Sequence, residues 1–391
     1  MSSPPGTALV IGGSVGGLAA AHELISIGLE VTVFERSVDR TQPRGAGIVM
    51  QPEVESLLSR LGRSVPSVSV LLRERQQLPR DGSLSRYDAP QWMTAWDTLY
   101  AALRKPLPEG CYRLDSELAS MRVHGDDVTV TFSSGSDAVG NVVVGADGIG
   151  STVRSLLMMP GAAAYSGYVA FRGLEPEAGL PSHLVELLAE RFTMFAVPGL
   201  QLLCYLVPGA DGELEPGSRR INWVWYVNTP ESSLPWLLTG TSGRRFDHFV
   251  PPGELTADAI GRLQALGREK LPSRFAELVE HSTVFMQPVF DVAPAAMTGD
   301  HAVLIGDAAG TVRPHTASGT SKAFGDAADL ARALDGADSY GDPPRILKQW
   351  EARRLAHLTA VARHGIGLAA RSSLGVAGPQ FLSESRKADL P

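Results

Sequence analysis

The sequence predicts an α/β fold with an inserted antiparallel sheet and a C-terminal helical tail. Three observations lead to this prediction. A glycine-rich strand–helix–strand pattern opens the chain at residues 7–35, runs of alternating hydrophobicity fill residues 165–288, and a helical pattern covers residues 342–371. A folded core is expected, because 44% of the 391 residues are hydrophobic and 20% are charged.

The N-terminal pattern is typical of a dinucleotide-binding unit. An apolar strand leads into a glycine-rich turn, a periodic helix and a second apolar strand that ends at an acid; these are residues 7–11, 12–17, 18–27, 30–34 and Glu35. Such a turn places a pyrophosphate on the helix N-terminus, and the acid binds the adenosine ribose. Gly12 permits the tight turn, Gly17 lets the helix pack closely, and Ser14 replaces the middle glycine of GxGxxG.

A second ligand-facing segment is predicted at residues 301–330. The apolar run at 302–305 ends at Gly306-Asp307, as a buried strand does when it carries an acid at its tip. The loop Arg313-Pro314-His315 follows, and Ser318-Gly319-Thr320 leads into a helical pattern. The N-terminus of that helix favours an electron-rich or anionic ligand group, and Asp307 is expected to face a ligand hydroxyl.

Periodicity and turn residues predict the remaining elements. Helices are expected at 51–61, 96–103, 257–271 and 342–371, and strands at 116–123, 128–132 and 141–146. The expected domains are 1–70, 96–164 and 285–340 for dinucleotide binding, 71–95 and 165–284 for an antiparallel substrate-binding sheet, and 341–391 for the helical tail. No function is assigned to the alternating stretches at 65–87.

Composition and charge argue against several classes of protein. The net charge is −7 and no basic cluster follows a phosphate backbone, so a nucleic-acid partner is not expected. No apolar run approaches the roughly 20 residues of a membrane span. Cys111 and Cys204 have neither metal-site nor disulfide spacing. We expect a cytoplasmic protein without a metal or a membrane partner.

Three separated motifs together resemble one family. The glycine-rich turn is followed by VVVGADGIGSTVR at residues 142–154 and LIGDAA at 304–309, and then by the Pro314 to Gly319 spacing and Asp326-Ala327. This order is similar to that of the class A flavoprotein aromatic hydroxylases, the p-hydroxybenzoate hydroxylase-like family. The resemblance implies a Rossmann-like (GR2-type) FAD-binding domain with non-covalent FAD.

The resemblance also implies which residues contact FAD. They are Gly12, Ser14, Gly17, Glu35, Arg36, Arg44, Gly47, Gln51, Asp147, Gly148, Arg154, Gly306, Asp307, Pro314, Ala317, Ser318, Gly319 and Thr320. Asp147 belongs to a motif that serves both FAD and the pyridine nucleotide, and Asp307 belongs to one that binds the ribityl chain. Three positions depart from the family pattern: Ala317 replaces a glycine, Ser321 an asparagine, and Trp96 an arginine that contacts FAD.

Five further segments resemble the dihydroxypyridine hydroxylases within this family. They are GIVMQPE (47–53), WDTLYAAL (96–103), YSGYVAFRG (165–173), NWVWYVN (222–228) and RPHTASGTSKAFGDA (313–327). This implies a monooxygenase that uses NADH or NADPH and O2, through a C4a-hydroperoxyflavin, to hydroxylate an electron-rich hydroxylated pyridine. The pocket must exclude water, since water lets the oxidant decay to peroxide.

Candidate substrate contacts are aromatic residues of the predicted sheet and one histidine. The aromatic candidates are Tyr168, Trp223, Trp225 and Tyr226, although only about half of the residues in alternating strands face inward. His315 and the adjacent Pro314 are the candidate catalytic residues, because a histidine titrates near neutrality and can deprotonate a ring hydroxyl. A loop histidine that only shapes the pocket is the other interpretation.

Several alternatives stay open at this point. The chain fits a hydroxylase of another phenolic or natural-product ring, or a non-catalytic flavoprotein that sequesters an aromatic ligand. The sequence has no second dinucleotide fingerprint, so it does not distinguish NADH from NADPH. The resemblance and the prevalence of twofold oligomers favour a homodimer, without an interface signature in the sequence.

Overall fold

The computed structural model describes residues 6–37, 47–159, 163–293, 296–335, 343–376 and 379–383. It confirms the α/β class, with a largely parallel sheet of six strands, a largely antiparallel sheet of eight strands and a small antiparallel sheet of three strands. The predicted FAD contact Arg44 lies outside the described residues. Within them, no helix is long and apolar enough to cross a membrane.

The described chain begins with alternating strands and helices and ends with consecutive helices. The strands are β1 (Thr7–Ile11), β2 (Glu30–Phe34), β3 (Gly47–Val49), β4 (Val70–Gln77), β5 (Ser85–Ala95), β6 (Tyr112–Arg113), β7 (Leu118–His124), β8 (Asp127–Phe132), β9 (Asp137–Gly140), β10 (Val142–Gly145), β11 (Ala164–Pro176), β12 (Arg191–Val197), β13 (Leu200–Val207), β14 (Arg220–Asn228), β15 (Phe285–Asp291), β16 (Thr298–Gly299) and β17 (Ala302–Leu304). The helices are α1 (Val15–Ser26), α2 (Pro52–Arg60), α3 (Trp96–Arg104), α4 (Thr152–Leu156), α5 (Ser182–Leu188), α6 (Leu234–Leu237), α7 (Ala257–Lys270), α8 (Ser273–Glu280), α9 (Gly306–Ala309), α10 (Gly319–Asp335) and α11 (Pro343–Arg371).

The first sheet carries the dinucleotide-binding pattern. Its order is β16-β17-β10-β1-β2-β6, and its central strands are parallel. These strands are apolar along their length because both faces are covered, one by α1 and the other by the antiparallel sheet of β7, β8 and β9. The carboxyl ends of β1, β10 and β17 lie together, so the glycine-rich turn, Asp147 and Asp307 all follow neighbouring strands at one edge.

The second sheet has eight strands in the order β15-β11-β14-β13-β12-β4-β5-β3. Its far face packs on α5, α7 and α8, and its near face is turned toward the first sheet. Two predicted domain limits differ from this pairing, because β3 and β15 (Phe285–Asp291) both belong to the antiparallel sheet.

The prediction of one helix in the sheet region was wrong in number. Besides α7, the structure has α5, α6 and α8 there. All three are short, of seven, four and eight residues, and α5 and α8 each begin directly after a proline, Pro181 and Pro272. Segments of this length give too few turns for a helical period to stand out from alternating strands.

The tail helix α11 is tied to α10 by buried charges. Arg354 donates to Asp326 at 2.7 Å and to Asp329 at 2.7 Å, and Asp326 also lies 3.5 Å from the ammonium group of Lys322. The side chains of Lys322 and Asp326 are almost fully buried, so each charge depends on the others for compensation.

We predict that Arg354→Met lowers the free energy of unfolding by about 3 kcal/mol, because Asp326 loses a buried charge partner. Arg332→Met is the matched control, since Arg332 pairs with Asp329 of the same network but its side chain is 73% exposed. We expect Arg332→Met to lower the free energy of unfolding by less than about 1 kcal/mol. Urea unfolding at saturating FAD measures both, and equal losses would contradict a special role for the buried pair.

Candidate active site

Two adjoining cavities lie between the six-stranded parallel sheet and the eight-stranded antiparallel sheet. Their volumes are about 390 Å³ and 860 Å³, and Asp307, Gly319 and Thr320 line both. The smaller cavity is walled by the glycine-rich turn and the ends of β2 and β10. The larger one lies under the near face of the antiparallel sheet. A ligand that follows the first cavity past Asp307 therefore enters the second.

The glycine-rich turn is held by backbone geometry that only glycine permits. Gly12 has φ +105°, and its N–H donates to the carbonyl of Phe34 at 2.8 Å. A side chain at Gly12 would meet the backbone of Ala146, and one at Gly17 would meet the carbonyl of Gly12. The turn and the start of α1 thus pack directly on the neighbouring strand.

Ser14 and Trp96 form a hydrogen-bonded pair in the first cavity. Ser14 is the N-cap residue of α1, but its side chain makes no capping bond. The indole N–H of Trp96 instead donates to Ser14 Oγ at 3.3 Å, and both residues line the cavity. Because Ser14 Oγ accepts this bond, its own hydrogen can be donated to a ligand.

Aromatic residues support this pair from behind. The ring of Trp96 stacks on Tyr100 with centroids 5.0 Å apart. The hydroxyl of Tyr100 donates to that of Tyr112 at 3.2 Å, and Tyr112 donates to the carbonyl of Gly13 at 3.1 Å. The α3 helix and β6 therefore support the glycine-rich turn from the side of β2, away from β10.

Glu35 is oriented by the chain itself. Its Oε2 accepts the N–H of Gly13 at 2.8 Å, and its Oε1 accepts the N–H and hydroxyl of Ser37 at 3.0 and 2.7 Å. Glu35 and Arg36 both line the first cavity. Oε2 accepts only one of these bonds and has a further lone pair, so Glu35 keeps acceptor capacity for a ribose hydroxyl.

The carboxylate of Asp147 caps α4. Its Oδ1 accepts the hydroxyl of Ser151 at 2.6 Å, and its Oδ2 accepts the N–H groups of Thr152 and Val153 at 2.7 and 3.1 Å. Burial raises the pKa of Asp147, and these hydrogen bonds oppose the rise. Asp147 and Gly148, which has φ +79°, still line the first cavity.

The predicted FAD contact at Arg154 needs correction. Arg154 is buried and donates to the carbonyls of Ala308 at 2.7 Å and Ile149 at 2.5 Å. It does not line either cavity. Its guanidinium instead joins the loop after β10 to α9, so it positions two cavity walls without facing a ligand.

Asp307 is placed by a glycine with positive φ and by two buried charges. Gly306 has φ +55°; its N–H donates to Asp326 at 3.0 Å and its carbonyl accepts Lys322 Nζ at 2.6 Å. The Asp307 side chain consequently faces the junction of the two cavities. Its depth in the protein raises the pKa of the carboxyl, and the charge of Lys322 opposes that effect.

The loop at residues 314–320 forms one wall of the second cavity. Ala317 has φ +54°, a left-handed conformation that explains why a glycine is usual in the family. The carbonyl of Ala317 accepts the side-chain amide of Gln51 at 2.9 Å. Pro314, Gly319 and Thr320 line the cavity together with Gln51 and Gly47, whereas Ser318 does not.

His315 lines the second cavity but is a weak base. Its Nε2 lies 3.1 Å from the hydroxyl of Tyr168, and its ring centroid is 4.5 Å from that of Tyr226. Burial and the nearby charge of Arg313 lower the pKa of His315 to about 4. The imidazole is therefore neutral at neutral pH, and its conjugate acid is too strong for it to retain a proton taken from a ring hydroxyl.

Because side chains alternate along each strand, the predicted aromatic contacts lie on two different faces of the antiparallel sheet. Tyr226 lines the cavity, and Tyr168 lies behind His315. Trp223 and Trp225 face the opposite side and belong to the core under the helices; Trp223 donates to Ser282 Oγ at 2.8 Å, and Trp225 packs near Gly267. Their predicted role as substrate contacts is thus wrong, because odd and even residues of β14 lie on opposite faces.

Eight polar residues of the second cavity were missed from the sequence. They are Arg75, Gln91, Arg172, Gln201, Tyr205, Thr316, Arg371 and Ser372. Tyr205 donates to the carbonyl of Gly47 at 3.2 Å. Arg172 belongs to the segment YSGYVAFRG that carries the family resemblance, and its parity with Tyr168 on β11 is the signal that was available.

Comparisons with known proteins decide the family. A family model described as FAD binding domain-like matches residues 165–291. The chain is 31% identical to 2,6-dihydroxypyridine 3-monooxygenase of Paenarthrobacter nicotinovorans over 98% of this chain and 96% of the relative. The chain belongs to the class A flavoprotein aromatic hydroxylases. FAD, predicted from the sequence, is accordingly confirmed as the cofactor of this flavoprotein.

Two further similarities describe this flavoprotein. It is 29% identical to 3-amino-4-hydroxybenzoate 2-monooxygenase of Streptomyces platensis, over 90% of this chain and 85% of the relative. The solved structure of 2,6-dihydroxypyridine-3-hydroxylase from Arthrobacter nicotinovorans superposes with a TM-score of 0.88 at 29% identity, covering 98% of this chain and 100% of that one.

The first cavity fits the polar groups of FAD. Backbone N–H groups at the start of α1 and the Ser14 hydroxyl suit a pyrophosphate, and Glu35 suits ribose hydroxyls. Ser14→Ala and Trp96→Phe should each weaken FAD binding about threefold to tenfold, because a hydrogen bond to the ligand or its support is lost. The double variant should bind no more weakly than Ser14→Ala, since both changes act on one hydroxyl.

FAD titration of the apoprotein, followed by flavin fluorescence, measures these affinities. Ser26→Ala is the matched control, because Ser26 ends the same helix and bonds only to the carbonyl of Glu23. Additive losses in the double variant would show that Trp96 acts on FAD independently of Ser14.

Proposed function

We propose that this flavoprotein hydroxylates an electron-rich hydroxylated pyridine, with 2,6-dihydroxypyridine as the leading candidate, at the expense of NADH or NADPH and O2. One observation carries the proposal: the first cavity continues past Asp307 into a second cavity with a tyrosine- and arginine-containing wall. The 31% identical relative is named for hydroxylation of 2,6-dihydroxypyridine, which supports the same ring class here.

The chain supplies binding and orientation for FAD in this proposal. The start of α1 with Ser14 holds the pyrophosphate, Glu35 the adenosine ribose, and Asp307 the ribityl chain. The segments 47–51 and 314–320, joined by the hydrogen bond from Gln51 to Ala317, both line the second cavity and would hold the ring system there. When bound, FAD supplies the acceptance of hydride from the nicotinamide and the activation of O2.

The sheet supplies a dry pocket for the aromatic substrate. Phe192, Met194, Leu203 and Val224 form an apolar surface on the near face, and Tyr226 lies beside His315. Such a surface excludes water from the reacting oxygen, and this protects the oxidant from decay to peroxide.

We assign His315 the role of a positioning residue. Tyr168 holds its Nε2, and Tyr226 packs on its ring, so the imidazole is fixed as a neutral hydrogen-bonding group at the cavity wall. The low pKa argues against its use as the base that ionises a ring hydroxyl near neutrality.

His315→Ala should therefore slow hydroxylation about tenfold or more while flavin reduction changes less, because the substrate ring loses its support. The shape of the pH–rate profile above pH 6 should stay the same as in the wild type, since a group with a pKa of about 4 does not titrate there. Rapid-mixing kinetics of the two half-reactions measures both. If His315→Ala instead lost a limb of the pH–rate profile with a midpoint between pH 6 and 7, His315 would be the base that ionises the ring hydroxyl.

The proposed activity is tested by aerobic oxidation of NADH and of NADPH by the FAD-loaded protein, with and without 2,6-dihydroxypyridine. We expect stimulation of at least tenfold with hydroxylated product in near-stoichiometric yield. Stimulation with peroxide alone would point to another ring, for which 6-hydroxynicotinate and 3-amino-4-hydroxybenzoate are the first probes. Binding of these rings without any stimulation would instead favour a sequestering flavoprotein.

A further inference from the structure

We infer that the second cavity contains a subsite for an aromatic oxyanion, and that the guanidinium of Arg172 provides its charge. The inference deepens the proposed function and rests on it for the identity of the ring. The shared chemistry is a delocalised oxygen anion carried on an aromatic ring, either an ionised ring hydroxyl or a carboxylate.

The position of Arg172 follows from strand alternation. On β11, Val169 and Phe171 belong to the core under the helices, whereas Tyr168 and Ala170 face the other side. Arg172 has the parity of Tyr168 and lines the second cavity. Its neighbour across the ladder is Val224 of β14, which lines the same cavity. The side chain is thus directed into the substrate side of the sheet.

Within the described part of the chain, Arg172 lacks the carboxylate partner that three buried arginines have. Arg219, Arg220 and Arg313 are each bound to a carboxylate, at 2.8, 2.8 and 2.7 Å from Glu177, Asp97 and Asp291 respectively. Among the described residues, no carboxylate forms an ion pair with Arg172, and its buried Nε has no hydrogen-bond partner. A half-buried guanidinium without a counter-charge favours an anion supplied by a ligand.

The groups around Arg172 indicate which kind of anion it can bind. The hydroxyls of Tyr205 and Tyr226 are buried close enough for the charge of Arg172 to oppose the burial-induced rise of their pKa. Both phenols nevertheless keep raised pKa values, so neither provides a standing negative charge. The flat, apolar surface of Leu203 and Val224 lies beside the charge, and this combination suits a planar ring with an anionic edge.

A second buried polar atom lies on the neighbouring strand pair. Gln201 lines the cavity, pairs with Tyr226 across the ladder, and has a buried Oε1 without a hydrogen-bond partner. An amide oxygen requires a donor such as a ring N–H. A hydroxylated pyridine carries an acidic oxygen and, in its lactam form, a ring N–H, whereas a benzenoid phenol carries no ring N–H. The cavity therefore favours the heteroaromatic ring.

The first test uses the wild-type holoenzyme without any substitution. Benzoate and its neutral isostere benzamide are titrated against the flavin absorbance spectrum at pH 7. We expect benzoate to bind at least tenfold more tightly than benzamide. The ionised-hydroxyl source is tested by 2,6-dihydroxypyridine against resorcinol, the benzenoid analogue that is neutral at pH 7. Equal affinities within both pairs would overturn the subsite.

The second test assigns the charge to Arg172. In Arg172→Gln, 2,6-dihydroxypyridine and benzoate should bind at least 30-fold more weakly, whereas benzamide and resorcinol should change less than threefold. Arg172→Lys should recover part of the affinity, because it retains the charge without the planar fork. Arg73→Gln is the matched control, since Arg73 is an arginine of the same sheet whose side chain is 70% exposed.

The outcomes separate this inference from the proposed function. Arg172-dependent binding of either anion without turnover would keep the oxyanion subsite and remove the proposed activity. Turnover of 2,6-dihydroxypyridine with unchanged anion affinity in Arg172→Gln would keep the activity and remove the subsite. Tighter binding of benzoate than of 2,6-dihydroxypyridine would identify a carboxylate as the preferred source.

Discussion

The carboxylate of Asp326 is the constraint on which the site depends. It accepts the N–H of Gly306, lies beside the ammonium of Lys322 and binds Arg354 of the tail helix. One buried anion thereby joins the segment after β17, helix α10 and helix α11. Because Gly306 is fixed in a left-handed conformation by these contacts, Asp307 is presented at the junction of the two cavities.

The antiparallel sheet contributes to the cofactor side as well as to the substrate side. Tyr205 donates to the carbonyl of Gly47, and Asn222 Oδ1 accepts the N–H of Gly47 at 3.3 Å. A side chain at Gly47 would meet the ring of Tyr205, so glycine is required for this close approach. The segment expected beside the flavin ring is thus aligned by residues of the substrate sheet, and the two functions share one wall.

The sequence predicts the nucleotide half of the molecule better than the substrate half. A glycine-rich turn, an acid after the second strand and the Gly306-Asp307 tip are local patterns, and their chemistry follows from backbone geometry within a few residues. Arg154 was misplaced because its partners, Ala308 and Ile149, include a carbonyl 154 positions away. Only the folded chain shows that such a guanidinium is already satisfied.

The substrate half depends on which face of each strand is covered. Trp223 and Tyr226 lie three positions apart on β14 and have opposite parity, so at most one of them can face the cavity. Alternation alone does not tell which parity faces the cavity, since α7 and α8 cover one face of the sheet and the cavity opens on the other. Arg172 illustrates the same limit. The sequence does not tell which side chains of the neighbouring strands lie beside it, so its lack of a carboxylate partner among the described residues is seen only in the folded sheet.

The electrostatics of the second cavity connect His315 with Arg172. Burial and the charge of Arg313 lower the pKa of His315, so the imidazole itself adds no positive charge near neutrality. Arg172 then remains a cation on the sheet side without a carboxylate partner among the described residues, opposite an uncharged histidine. An aromatic anion bound between them needs no base to remove its proton, because the guanidinium favours the ionised form before the ring reacts. The weak basicity of His315 is consistent with such a site.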